Sequence, residues 1–131
     1  MQQIVDLFHK AGVFHIATVD GDQPRVRPFG LAMLFEDRLY FTTANRKSFY
    51  KQLQKNPNVE ISAMIDENSW LRLEGKAVFD GSTAAKKRAF EVYPGFQEMY
   101  QSPENPIFEV FYLDKPSATL YSLTEEAKKI L

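Results

Sequence analysis

The sequence predicts a mainly β fold in which about six to seven short antiparallel strands form a small closed barrel with few helices. Three observations support this. Alternating apolar runs are joined by short turns, so neighbouring strands pair antiparallel. Helical runs interrupt the strands only occasionally, unlike the regular alternation of a parallel α/β fold. The 131 residues also include 11 Phe and 6 Tyr, and aromatic residues favour strands.

The first half of the chain predicts a helix, three strands and a second helix. Apolar spacing predicts the first helix over residues 2–12, ended by Gly12. Three strands follow within residues 13–43, with hairpin turns predicted at residues 20–22 and 36–37. Residues 45–56 form the second predicted helix, which ends at Asn56 because a proline follows it.

The second half of the chain predicts two further pairs of strands and two helices. Two strands are predicted over residues 58–66 and 69–81, and a helix over 82–93 begins at a Ser-Thr cap. After a short helical turn and a loop, residues 107–123 predict two strands around a Lys115-Pro116 turn. A terminal helix capped by Thr124 is expected over residues 124–131.

Composition limits the possible functions. Sixteen Lys plus Arg against 17 Asp plus Glu give a net charge of −1, which argues against nucleic acid as the main partner. Cysteine is absent, which excludes a disulfide framework and a thiolate nucleophile. No apolar run approaches the roughly 20 residues that span a bilayer, and the N-terminus has no signal-peptide pattern. One cytoplasmic domain, residues 1–131, without a membrane partner is therefore expected.

A basic stretch stands out in this nearly neutral chain. No acidic residue lies between Asp37 and Glu60. The predicted helix there has Asn45 as a suitable N-cap, which places Arg46 and Lys47 in a first turn that disfavours cations. A phosphate would remove that cost and bind backbone N–H groups, Lys47 and the Ser48 hydroxyl. The alternative is a solvated basic face on a surface helix. The five cations of the stretch are Arg38, Arg46, Lys47, Lys51 and Lys55.

Two further arginines precede this stretch. Arg25 and Arg27 alternate with Val26, so both project from one side of a strand. They repel each other unless an anion lies between them, although pairing of Arg25 with a carboxylate such as Asp20 is the alternative. Pro28 lacks a backbone donor, which predicts an edge strand or a kink.

Three segments together resemble a known family. They are "DGDQPRVRPF", "LYFTTANRKSFYKQLQKNPNVEI" and "WLRLEGKA". They resemble the flavin mononucleotide (FMN) binding split barrels of the pyridoxamine 5′-phosphate oxidase-like superfamily, in its nitroimidazole-resistance-protein-like branch. The resemblance runs from Val13 to Leu123 and implies one FMN-binding split-barrel domain. True pyridoxamine phosphate oxidases carry a C-terminal Arg and His segment, whereas no Arg or His follows Arg88 here, so that oxidation is not expected.

The resemblance implies a homodimer with FMN at its interface. A barrel this small is filled by its own side chains, so a tricyclic ring must bind outside it. By resemblance, Arg27, Lys47 and Ser48 hold the phosphate, and Thr42 and Thr43 contact the phosphate or ribityl chain. The remaining candidates are the ring-lining Pro28 and Phe29, the flavin-approaching Trp70 and Arg72, and the flanking Arg25 and Asn45.

The predicted function is transfer of electrons from NAD(P)H to a small nitroaromatic or quinone-like acceptor. Flavin supplies the redox chemistry itself, and no catalytic residue is predicted. One alternative is a non-catalytic protein that stores or senses FMN, and another is a haem-binding split barrel. The chain has only two histidines, and His15 is expected to pack in the core. The aromatic cluster of residues 90–100 predicts core or dimer packing, with a wall over the flavin as the alternative.

Overall fold

The computed structural model describes all 131 residues and is mainly β, as predicted. Eight strands are present: β1 (Phe14–Asp20), β2 (Gln23–Phe29), β3 (Met33–Phe35), β4 (Arg38–Ala44), β5 (Asn58–Met64), β6 (Ser69–Asp80), β7 (Phe108–Ser122) and β8 (Lys128–Lys129). Four helices accompany them: α1 (Gln2–Ala11), α2 (Ser48–Lys55), α3 (Thr83–Val92) and α4 (Phe96–Tyr100).

The strands form one antiparallel sheet in the order β2-β1-β5-β6-β7-β4-β3, with β8 added to β7. The end strands β2 and β3 do not pair with each other, so the barrel is split and the expectation of a closed one is wrong. Helix α1 contacts β5 and β3, and α2 contacts β1 and β4. The two helices therefore lie across the opening between the two ends of the sheet.

The main core lies between the concave face of the sheet and helices α1 and α2. Its largest fully buried side chains include Phe8, Phe14, Phe41 and Phe111, and their rings lie within 6.0 Å of a neighbouring ring. Burial of each such ring contributes roughly 1.5–3 kcal/mol. A second, smaller core under α3 and α4 contains Tyr40, Phe96 and Phe108. Strand β4 joins the two cores because its side chains alternate between them.

Two predicted elements near the C-terminus are wrong. Residues 108–122 form one continuous strand, not two strands around Lys115-Pro116. Lys115 has a φ of 50°, and the β6–β7 register shifts between Glu74 and Lys76, so the strand kinks at a bulge without reversing. Residues 124–131 form a turn and the short β8 instead of a helix, because Ile130 and Leu131 both donate backbone hydrogen bonds to the Ala118 carbonyl.

A buried hydrogen bond links β4 to the end of β6. The Tyr40 side chain is fully buried, and its hydroxyl donates to Asp80 Oδ2 at 2.7 Å. Burial and this hydrogen bond raise the pKa of Tyr40 to about 12. Burial acts to raise the pKa of Asp80 as well, but hydrogen bonds from the Ser82 backbone N–H and from Tyr40 outweigh it and hold that pKa below its usual range.

Replacing Tyr40 tests this bond. At neutral pH, Tyr40→Phe is expected to lower the free energy of unfolding by about 1.5–3 kcal/mol, the usual worth of a hydrogen bond to a charged group. Because the folded pKa of Tyr40 is raised, its stabilisation is full below the unfolded pKa of about 10 and is lost as pH rises toward 12. Urea unfolding between pH 7 and 12 should show less alkaline loss in Tyr40→Phe, whereas an unchanged alkaline loss would contradict the assignment. Tyr112→Phe, at a neighbouring ring, is the control.

Candidate functional site

The arginine pair on edge strand β2 faces α2, but its two members have different partners. Arg27 Nη1 donates to Thr18 Oγ1 at 2.8 Å, and Arg27 Nη2 donates to Gln52 Oε1 at 2.7 Å. Its guanidinium also lies 4.8 Å from the centre of the Phe49 ring. All these partners are uncharged. Burial, and secondarily the charge of Arg25, lowers the pKa of Arg27, so a cation is held here without a carboxylate beside it.

Arg25 is paired with a carboxylate. Its Nε lies 3.2 Å from Asp20 Oδ2, and both side chains are about half exposed, at 52% and 47%. The structure therefore supports the pairing alternative for Arg25, because the local carboxylate already neutralises its charge.

A cationic cleft of about 720 Å³ lies between β2 and α2. Arg25, Arg27, Ser48, Lys51 and Lys55 are among its lining residues. The chain has three side-chain ion pairs, and they involve only Arg25, Arg72 and Arg88 as cations. The five cations of the basic stretch thus have no carboxylate partner within the chain.

The start of α2 differs from the prediction. The helix begins at Ser48 with Lys47 at the N-cap, and no side chain caps it. The prediction of Asn45 as N-cap is wrong because its amide donates to the Pro106 carbonyl at 2.6 Å and to Glu109 at 3.2 Å. Lys47 and Ser48 are therefore closer to the free N–H groups of the helix than the sequence suggested.

An apolar cleft of about 330 Å³ lies beside the basic one. One wall carries four of the predicted site residues: Pro28, Phe29, Thr42 and Lys47. The opposite wall is formed by Tyr93, Phe96 and Met99 of the α3–α4 region. Of the aromatic cluster of residues 90–100, Phe96 packs in the smaller core, whereas Tyr93 and Met99 are 47% and 59% exposed. Core packing is therefore confirmed for Phe96, whereas a wall over the flavin stays a prediction for Tyr93 and Met99.

Thr42 and Thr43 are on opposite faces of β4. Thr42 lines the apolar cleft, whereas Thr43 is 3% exposed and its Oγ1 has no hydrogen-bond partner. A buried hydroxyl without a partner is uncommon in folded proteins. Only Thr42 reaches the cleft directly in this arrangement.

Trp70 and Arg72 are not brought to the clefts within one chain. Trp70 stacks on Tyr121 with ring centres 5.6 Å apart, and Arg72 pairs with Glu60 at 2.9 Å. In the sheet register, Thr42 lies opposite Val110, which lies opposite Asp80 at the other end of β6. Ten residues of strand separate Asp80 from Trp70, about 33 Å if straight. Neither Trp70 nor Arg72 lines either cleft within one chain.

These two residues share the convex face of the sheet with an exposed apolar patch. Alternation in β1 buries Phe14 and Ile16 and turns His15, Ala17 and Val19 outward. His15 is exposed, so the expectation that it packs in the core is wrong. Val26 and Met64 extend this face and are 66% and 53% exposed. The sequence reasoning missed both, although their alternation with buried neighbours is visible in the sequence.

The structure contains neither a cluster of potential metal ligands nor a helix that could span a membrane. No group of three or more His, Cys, Asp or Glu side chains is placed to hold a metal ion. None of the four helices has the length and apolar character needed to cross a bilayer.

Comparison with known proteins decides the family. The family model described as pyridoxamine 5′-phosphate oxidase matches residues 1–116. The chain belongs to the pyridoxamine 5′-phosphate oxidase family. It is 38% identical to a NimC/NimA family protein from Clostridium acetobutylicum, with a TM-score of 0.91 over 99% of this chain and 93% of that one, which supports the nitroimidazole-resistance-like branch. Comparison with curated proteins gave no match.

More distant members of the pyridoxamine 5′-phosphate oxidase fold are described with different ligands. A pyridoxamine 5′-phosphate oxidase-related, FMN-binding protein from Nostoc punctiforme is 20% identical, with a TM-score of 0.64 over 99% and 95% of the two chains. The heme storage protein HutZ from Vibrio cholerae is 16% identical, with a TM-score of 0.70 over 92% of each chain. At these identities the likeness establishes the shared fold alone.

The two arginines of β2 should differ in their contribution to stability. Arg25→Ala removes a half-exposed ion pair and should cost less than about 1 kcal/mol of unfolding free energy. Arg27→Ala removes charge-assisted hydrogen bonds, including those to Thr18 and Gln52, together with the contact with Phe49, and should cost about 1.5 kcal/mol or more. Urea unfolding of both variants measures the difference. A greater loss in Arg25→Ala would show that the Arg27 contacts do not stabilise the fold.

Proposed function

We propose that this protein binds FMN between its basic and apolar clefts and uses it to pass electrons from NAD(P)H to a small organic acceptor. The observation that carries the proposal is the meeting of two unlike surfaces in a member of this family. One cleft is lined by Arg27, Lys51 and Lys55, which have no carboxylate partner. The neighbouring apolar cleft is lined by Pro28, Phe29 and Thr42, and Lys47 also lies there. A molecule with a phosphate at one end and a planar ring at the other fits both.

The residues present fit such a group. Arg27 already donates two hydrogen bonds to neutral oxygens, and a phosphate oxygen is a stronger acceptor than either. Lys47 and the uncapped start of α2 add a second cation and free backbone N–H donors.

Bound FMN would supply the capacity to accept a hydride and to release electrons singly or in pairs. The chain's own residues have other tasks. Arg27, Lys47 and Ser48 would hold the phosphate. Pro28 and Phe29 would keep water from one side of the flavin ring, and Thr42 would orient the ribityl chain that links the ring to the phosphate. No acidic residue lines the apolar cleft, so nothing there opposes the build-up of negative charge on a reduced ring.

We also propose that the active form is a homodimer formed through the convex face of the sheet. Val13, Val19, Val26 and Met64 are four of the seven large hydrophobic side chains that the monomer exposes, and they lie on or beside this face. Pro28 belongs to the same convex side, opposite His15, and also lines the apolar cleft. A two-fold partner on this face would therefore be placed beside the cleft and would bring its own Trp70 and Arg72 there.

Phosphate dependence tests the cofactor assignment. The protein should bind FMN more tightly than riboflavin, and Arg27→Ala and Lys47→Ala should each weaken FMN binding. Loss of a charge-assisted hydrogen bond is worth about 1.5–3 kcal/mol, or about ten- to hundredfold in Kd. Arg88→Ala, which removes an exposed cation of α3 that is paired with Glu91, is the matched control. Titration followed by flavin fluorescence gives the affinities, and equal affinity for riboflavin and FMN would contradict the phosphate site.

The visible spectrum and turnover separate the competing functions. A flavin absorption band in the purified protein supports the proposal, whereas a haem band would replace it with haem binding. Oxidation of NADH or NADPH coupled to reduction of a quinone or nitroaromatic tests electron transfer. Tight FMN binding without turnover would instead leave a flavin-storing or flavin-sensing protein.

Trp70 reports on the dimer because it is the only tryptophan. Titration with FMN should quench most of its emission at one flavin per chain, since the partner's indole would lie near the ring. Val26→Asp places a charge on the convex face and should yield a monomer in which FMN leaves the emission unchanged. Light scattering and fluorescence measure the two effects. Full quenching in a Val26→Asp monomer would show that Trp70 reaches the flavin within its own chain.

A further inference from the structure

The two walls of the apolar cleft have different compositions. The wall from β2 and β4 carries the residues proposed to hold FMN. The opposite wall carries none of them and consists of Tyr93, Phe96 and Met99. Phe96 is 6% exposed and anchors this wall in the smaller core, whereas Tyr93 and Met99 expose about half of their surface. An aromatic ring and a thioether facing a narrow cleft offer a surface for a second planar molecule.

The position of the Tyr93 ring depends on a missing side chain. A Cβ at position 95 would lie 2.8 Å from Tyr93 Cε2 and 2.9 Å from Cζ, distances that real Cβ atoms do not tolerate. Gly95 therefore allows the ring to lie against the backbone and to pack edge-on against Phe96, with ring centres 4.8 Å apart. The backbone at Gly95 is helical, with φ −58° and ψ −21°, so no conformational need for glycine exists there.

Gly95 is the N-cap of α4, and glycine is preferred to alanine at that position as well. The close contact with the Tyr93 ring is a second reason for glycine here. Because position 95 has no side chain, the exposed Tyr93 ring can lie against the backbone at the mouth of the cleft. The other lining groups of the cleft include one cation, Lys47, and no carboxylate. Lys47 disfavours a cationic ligand, and the apolar side chains favour a flat ring.

We propose that Tyr93, positioned by Gly95, determines the specificity for the electron acceptor, which is a planar, uncharged aromatic or quinonoid molecule stacked against the Tyr93–Met99 wall. This inference rests on the proposed function for its redox role. The positions of Tyr93 and Met99 and the Gly95–Tyr93 contact do not depend on that function. A binding measurement can therefore test separately whether a planar molecule stacks on these residues.

Kinetic selectivity is the first test. Flavin-loaded protein is assayed with NADPH and either 1,4-naphthoquinone or ferricyanide, an inorganic acceptor that has no ring to stack. Tyr93→Ala should lower the ratio of kcat/KM for the quinone to that for ferricyanide by roughly three- to tenfold, the usual worth of an aromatic pair. Tyr93→Phe keeps the ring and should keep the ratio. Leu123→Ala, at an exposed apolar residue outside both clefts, is the control.

Gly95→Ala is the decisive variant. It should leave folding intact, because only the far end of the Tyr93 side chain has to move, and yet it should lower the same ratio as Tyr93→Ala does. The double variant should be no worse than Tyr93→Ala alone, because both changes act through one ring. If Gly95→Ala changes the melting temperature but leaves the ratio unchanged, the positioning role is wrong.

A binding experiment separates this inference from the proposed function. With ¹³C-methyl methionine labels, 1,4-naphthoquinone should shift the Met99 signal and leave Met64, which is similarly exposed on the convex face, unchanged. The Met99 shift should disappear in Tyr93→Ala. If the protein binds no flavin or reduces no acceptor, the proposed function fails. This titration still shows whether a planar molecule binds against Tyr93 and Met99. Equal shifts at Met64 and Met99, or none at Met99, would overturn the inference.

Discussion

Strand β2 has a backbone partner on one side only, since it pairs with β1 and with no other strand. The opening on its other side is covered by α2, and Arg27 makes that contact through Gln52 while it also donates a hydrogen bond to Thr18 of β1. A cation at this position satisfies buried acceptors of its own chain while remaining at the border of a cleft. Pro28 follows directly and has no N–H to leave unpaired at the sheet edge. The split in the barrel therefore produces both the basic and the apolar surface.

Although the net charge is close to zero, basic and acidic side chains are concentrated in different parts of the surface. The basic stretch around α2 has no ion pairs, whereas Asp66, Glu67, Glu125 and Glu126 line a different cleft between the β5–β6 turn and the C-terminus. Since an acidic surface repels phosphates and a basic one attracts them, the arrangement directs anions toward the β2–α2 side. A net charge near zero argues against a broad basic face, but it does not exclude a local anion site such as the one between β2 and α2.

Much of the fold was predictable because it depends on local patterns. Alternation placed the strands, and the turn residues after Asp20 and Phe35 gave hairpins where they were expected. Elements set by distant contacts were not predictable. The C-terminal residues have a helical pattern, but pairing with Ala118 draws them into the sheet. Asn45 is a good N-cap by type, but a carbonyl more than 60 residues away takes its amide. The family resemblance grouped Trp70 with Lys47, yet only the sheet register shows that they lie far apart along one chain.

The continuous strand β7 has a consequence for how the chain is made. It lies between β6 and β4 in the sheet and also carries β8, yet its residues, 108–122, follow both β4 and β6 in the chain. Until these residues leave the ribosome, β4 and β6 each have an unpaired edge rich in apolar side chains. Such edges are sites of aggregation. The sheet cannot be completed in the order of synthesis, and its last large strand joins the two halves that were made before it. The nascent chain is therefore expected to need chaperones that cover these strand edges until β7 has been made.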